Sequence, residues 1–263
     1  MGCRLNFYQG VVVLVCGIDF ESTGLDTNKD RITEIGAVIF DTKDWTPLKE
    51  FNCLVWEPSY PKLIPEVVAI TGITQEMLEK EGKTPKEAIL LLGEFTNDVE
   101  VFVAHNAPFD QAMLLSELKR HGYSSKKKWV CSARDLKSNK QFKSWRLAHL
   151  ALDYGVTVNP KLLHRAVDDV KLMGVMLKEA KADINAMIKY METPDVIIAA
   201  MIPKPWEDGG KGKDAAKELG YSWQQPKGME KTFQNRWVKV IKEDEFDEEQ
   251  RKAKFKIEQL KGE

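Results

Sequence analysis

The sequence predicts an α/β protein in which a mixed sheet is flanked by helices and followed by a small C-terminal accessory region. Three observations predict it. Strand-like segments come in succession at residues 11–20, 32–40 and 48–56, the last two joined by "DTKDWTP", a connection short enough for an antiparallel hairpin. Helical and strand patterns then alternate up to about residue 180. Beyond about residue 195 aliphatic residues thin out, and Pro, Gly, Lys, Trp and acids take over.

The elements follow in order. "VVVLVCGI" is a continuous apolar run suited to a buried strand, and "ITEIGAVIF" is the next. "TPKE", residues 84–87, is a capping box with proline at the first helical position, and "AILLLGEF" behind it extends the helix. "VEVFVA" reads as a buried strand, and "APFDQAMLLSELKRHG" as a helix with Pro108 near its start and Gly122 just past its end. A basic strand, "KKKWVCSA", precedes a helix over residues 145–154 that stops at Gly155. Ala166, Val170, Met173 and Leu177 share one face of a long helix. The division read from this is a domain over residues 1–182, a helical linker over 183–205 and an accessory region over 206–263, with a helical tail at "EDEFDEEQRKAKFKIEQL".

Composition narrows the function classes. With 263 residues, 43% of them hydrophobic, and a formal net charge of −1, the chain carries no global basic field for nucleic acid or membrane. Any polyanion must be met by a local patch or by metal ions. Cys3, Cys16, Cys53 and Cys131 form no C-x-x-C pair, which argues against a disulfide framework and a zinc site and for a cytoplasmic protein. "VVVLVC" is too short to span a bilayer, and "MGCRLN" lacks the Ser or Thr of a myristoylation signal, so no membrane role is expected.

Side chains alternate along a strand, so Asp19 and Glu21 share a face. Two carboxylates held that close repel unless a cation sits between them. A further acid, Asp110, stands one turn into a helix beside His105 and Asn106, where the helix dipole alone also favours it. "HRAVDD" sets His164 in a loop and Asp169 in the first turn of the next helix, beside its apolar stripe, with Asp168 as the solvated neighbour.

"DFESTG", "AHNAPFD" and "HRAVDD", in that order, resemble the three motifs of the DEDDh branch of DnaQ-like 3′–5′ exonucleases. That group includes the proofreading subunit of the bacterial replicative polymerase, exonuclease X and ribonuclease T. The resemblance covers roughly residues 11–180 and takes in "ITGIT" at 70–74. It implies a ribonuclease H-like fold with a five-stranded mixed sheet. It also implies that Asp19, Glu21, Asp110 and Asp169 are the four acids, with His164 as general base. Asp19, Glu21 and Asp169 would hold one ion; Asp19, with Asp110 acting through water, would hold a second. Oxygen-only ligands select Mg²⁺ or Mn²⁺.

The resemblance further implies a partner with a free 3′ end, DNA ahead of RNA, shortened to 5′-mononucleotides. A polymerase or other repair protein is the implied protein partner. Thr23, Leu25, Thr71, His105 and Asn106 are the residues assigned to the substrate. Leu25 has core packing as its alternative, and Asn106 has helix capping. Trp206, Tyr221, Trp223 and Trp237, interleaved with lysines, either stack bases or form the core of a miniature domain. The competing function is a nucleic-acid-binding proofreading or repair partner with little activity of its own.

Overall fold

In the computed structural model, residues 7–8, 11–12, 14–138, 140, 142–224 and 236–260 are described. The apolar run near the start becomes the middle of a sheet. After a short pair, β1 (Phe7–Tyr8) and β2 (Val11–Val12), come β3 (Leu14–Ser22), β4 (Ile32–Asp41) and β5 (Thr46–Leu54). These three pair antiparallel, as the short connections require. Helices α1 (Pro65–Thr71), α2 (Gln75–Glu81) and α3 (Pro85–Phe95) follow, the last with the Thr84 hydroxyl accepting from the Glu87 amide as its capping sequence predicts.

Strand β6 (Val101–Ala104) joins β3 in parallel, α4 (Ala107–Arg120) crosses over, and β7 (Lys128–Cys131) joins β6 in parallel. The order is β5-β4-β3-β6-β7, a mixed five-stranded sheet flanked by helices. Then come α5 (Leu147–Asp153), α6 (Ala166–Glu179) and α7 (Ile184–Glu192).

The strand alternation works as read. Cys16, Ile18 and Phe20 pack with α3 and α4 in the main core, through Ala88, Leu92, Met113 and Leu114. Gly17, Asp19 and Glu21 lie on the opposite face, where α6 packs: a Cβ on Gly17 would come within 2.7 Å of Val170. The approach is closest at Gly36 of β4, where a Cβ would stand 2.2 Å from the backbone of Ala166 and of Val167. Only a residue without a side chain lets the start of α6 lie on the strand.

The chain divides into two compact units, Met1–Ile188 and Lys189–Glu263. The second holds β8 (Asp195–Met201), α8 (Pro205–Asp208), α9 (Lys211–Glu218), β9 (Ser222–Gln224), β10 (Arg236–Lys242), α10 (Phe246–Lys252) and β11 (Lys256–Leu260). Its antiparallel sheet runs β11-β8-β10-β9.

Two readings are corrected here. The stretch 183–205 is not a helical linker throughout: after α7 it becomes β8, an inner strand, because "DVIIAAM" is a β-branched apolar run that both neighbours cover. The tail is helical only through α10 and then closes the sheet as β11, with Ile257 and Leu260 buried in separate clusters. Tyr221 is buried in the core of this unit and Trp237 packs against it. Trp223, 55% exposed, stands across from Trp237. Cys3 and the Trp206 side chain lie outside the described residues. Cys16, Cys53 and Cys131 are free and buried, and among the described residues no helix is long and apolar enough to cross a membrane.

Candidate active site

The acids meet where the apolar part of β3 ends. Asp19 and Glu21 project from the α6 face of the strand, and the first turn of α6 brings Asp169 to them. One carboxylate oxygen from each lies within 4.8 Å of the other two. Just beyond Glu21 the register with β4 shifts, a bulge of the kind that re-aims side chains at strand ends.

Burial, and then the charges of Asp169 and Glu34, push the Asp19 carboxyl up to about 8. Burial, followed by Asp19, Asp169 and Glu34, pushes Glu21 up to about 9, with Arg165 pulling the other way. Burial also raises Asp169, against the hydrogen bond its Oδ2 accepts from the His164 amide at 3.1 Å. A recessed set of hard oxygen donors that resists holding its charges is suited to a divalent cation.

Asp110 stands outside that trio. It is buried in the first turn of α4, its carboxyl raised by burial and by Asp19 while the amides of Phe20 and of Asp110 itself oppose the shift. His164 is exposed and left-handed, with φ of 65°. It lines a cleft of about 460 Å³ with Thr71, Gly72, Leu163 and Arg165, so the histidine and the "ITGIT" segment face the same space. The Thr71 hydroxyl itself is engaged at the end of α1, donating to the Val67 carbonyl at 2.9 Å and accepting from the Ile73 amide at 3.1 Å.

The remaining assigned residues separate. Leu25 is 84% exposed, which removes core packing as its alternative. Thr23 is buried, and its hydroxyl donates to Asp30 at 2.9 Å and accepts from the Arg31 amide at 3.1 Å, which closes the loop that carries Leu25. Arg31 then anchors this loop to α4 through Glu117 at 2.8 Å. Asn106 does not cap α4 with its side chain: its left-handed backbone, φ 72°, carries the amide away from the helix amides, a conformation asparagine tolerates.

His105 has both ring nitrogens engaged. Nε2 faces the Trp145 carbonyl at 2.7 Å and so carries a proton, while Nδ1 meets the Ser132 hydroxyl at 2.8 Å. Burial holds the imidazole below its ordinary range, so the neutral ring accepts from Ser132.

Glu34 and Arg165 were passed over by the sequence reading. Glu34 lies opposite Glu21 in the β3–β4 ladder, fully buried. It accepts from Arg165 Nη2 at 2.6 Å and Nε at 3.1 Å, and from the Ala166 amide at 3.0 Å. This clamp fixes the N-terminus of α6, and with it Asp169. The available signal was a lone acid inside the apolar run "ITEIGAVIF".

The RNase T exonuclease family model matches residues 16–174. DNA polymerase III subunit epsilon of Treponema pallidum is 33% identical over 166 residues, which are 61% of this chain and 73% of that protein. The PolC-type DNA polymerase III of Thermotoga petrophila is 34% identical over 156 residues, 59% of this chain but only 11% of the polymerase. The structure of E. coli exonuclease I with single-stranded DNA superimposes with a TM-score of 0.60 at 13% identity, covering 94% of this chain and 65% of that one. The nuclease domain of 3′hExo, a DEDDh family member bound to rAMP, gives 0.54 at 16% identity over 65% of this chain and 92% of that one. These likenesses show the ribonuclease H-like fold. All three motifs lie inside the matched span, which exceeds half of the chain, and the protein belongs to the exonuclease family.

Proposed function

We propose that the protein is a 3′–5′ exonuclease that hydrolyses phosphodiester bonds from the 3′ end of DNA and releases 5′-mononucleotides. The observation that carries this is the convergence of Asp19, Glu21 and Asp169 within 4.8 Å, inside the exonuclease span. Asp19, Glu21 and Asp169 would hold one divalent ion, Mg²⁺ or Mn²⁺, and Asp19, with Asp110 through water, a second. Bound there, the ions would offset charge on the attacking and the leaving oxygen.

The chain's own groups supply the rest. His164, free in the cleft, takes the proton of the attacking water. The new bond forms between that water's oxygen and phosphorus, and the bond to the 3′-oxygen of the preceding nucleotide breaks. That oxygen leaves as a new 3′-hydroxyl after taking a proton from solvent. Leu25 on its anchored loop, and Asn106 at the start of α4, would meet the terminal nucleotide. Relatives named as polymerase subunits support a polymerase or another repair protein as partner.

The test is a panel of 5′-labelled single-stranded and duplex DNA and RNA with Mg²⁺, Mn²⁺ or chelator. The expected result is metal-dependent shortening from the 3′ end, with DNA favoured. No shortening of any substrate overturns the reading.

A further inference from the structure

The loop between β7 and α5 presents an aromatic group that neither the core nor the catalytic acids use. Trp145 is 57% exposed. Its ring meets that of Phe142 edge-on at 5.3 Å, and Phe142 rests on Tyr154 at 5.6 Å, so the exposed indole has a support behind it. Lys140 lies over the Tyr154 ring at 4.4 Å and bonds the Asp153 carbonyl at 2.7 Å, which fixes the far side of the same cluster.

The loop is also tied to the site. The Trp145 carbonyl accepts from His105 Nε2, and His105 is bonded to Ser132. His105 and Ser132 are the residues just past the carboxyl ends of β6, which pairs with β3, and β7, which pairs with β6, in the parallel half of the sheet. In such sheets ligands are met at the carboxyl ends of the strands, the end where β3 delivers Asp19 and Glu21. The segment is basic as well, with Lys143 and Arg146 flanking the tryptophan. Supported aromatic faces bordered by cations are what unpaired bases and their phosphates require.

Resting on the exonuclease reading, we propose that Trp145 is a stacking shelf for an unpaired base of the single-stranded nucleic acid that enters the site, with Lys143 and Arg146 on its phosphates. The commitment is to a single strand, because paired bases do not offer a free face. Phe142 and the His105 link are positioning residues: they hold the shelf and do not touch the nucleic acid.

Trp145→Ala keeps the backbone carbonyl that His105 needs, which makes it a clean probe. Binding is read by fluorescence anisotropy with labelled oligothymidylate and oligouridylate of about twelve nucleotides, a length within the range single-strand grooves cover. A hairpin duplex with no overhang is the control, and Ca²⁺ serves as the cation. The expected result is single-strand affinity weakened roughly 5- to 100-fold, duplex affinity unchanged, and most of the loss recovered in Trp145→Phe. Equal losses on single strand and duplex, or unchanged single-strand affinity, overturn the shelf. Absence of oligonucleotide cleavage by the wild-type chain, with the binding difference intact, counts against the exonuclease reading and not against the shelf.

Discussion

Glu34 and Arg165, distant in sequence, form a bidentate ion pair at the base of the catalytic helix, with the carboxylate fully buried and the guanidinium about one third exposed. Arg165→Ala leaves a buried, unpaired fourth acid beside Glu21. Breaking such a pair costs several kcal/mol in a closed interior, and partial exposure of the arginine reduces that to about 2 kcal/mol. Urea unfolding at neutral pH checks it; a loss within error of zero would mean the pair does not hold α6. Glu34→Gln keeps an oxygen for the Ala166 amide but frees the Arg165 charge toward the acids. Mn²⁺ affinity, read by calorimetry, should then fall roughly tenfold.

Asp169→Asn should end turnover while leaving the fold intact. The amide oxygen still accepts from His164, but one ligand charge is gone. A loss of about a thousandfold or more in rate is expected, measured on any substrate the wild-type chain cleaves. Chelated Asp169→Asn should melt at or above the wild-type temperature, because a repelling charge has been removed. Full activity in this variant would refute the site assignment.

The raised carboxyls make a pH signature. Asp19 and Glu21 titrate near ~4 in an unfolded chain and at about 8 and about 9 in the fold. A group whose pKa rises on folding favours the folded state below its unfolded value, and that contribution is lost as pH climbs through the folded value. The chelated protein should therefore lose thermal stability progressively between about pH 5 and pH 9. Mn²⁺ should restore it, and most strongly at the alkaline end. Melting curves with and without metal decide; a flat profile in chelator would show that the acids carry no strain.

His164 needs a substitution that respects its backbone. Alanine at a φ of 65° adds strain of its own, whereas asparagine accepts that conformation. His164→Asn should slow cleavage about a hundredfold or more and leave Mn²⁺ affinity within a few fold. A matching loss of metal binding would make His164 a structural residue of the acid cluster and not the base.

Much of this was legible in the residues because strand alternation is a local rule. Asp19 and Glu21 had to share a face, and Asp169 had to flank the apolar stripe of α6, whatever the rest of the fold. Contacts across the fold were not legible. Glu34 finds Arg165 only after β4 and α6 have packed, and the turning of His105 toward Trp145 depends on where the loop before α5 settles. Asn106 was misjudged because capping propensity presumes an extended backbone at the cap, and here it is left-handed. The sheet of the accessory region was not legible because its charged composition masks β9, β10 and β11, and β8 was hidden by assigning an apolar run to a linker.

The direct contact at Gly36 has a genetic meaning. The strand and the backbone of α6 touch there with no side chain between them, so the site's dimensions depend on the smallest residue available at one position. A methyl group at that point lifts the catalytic helix by a fraction of its own diameter. The lesion shifts Asp169 relative to Asp19 and Glu21, and so spoils the spacing on which the chemistry depends. Variation at this position would lower stability and activity together, so an allele there disables the site in a way that no inspection of the catalytic residues would reveal.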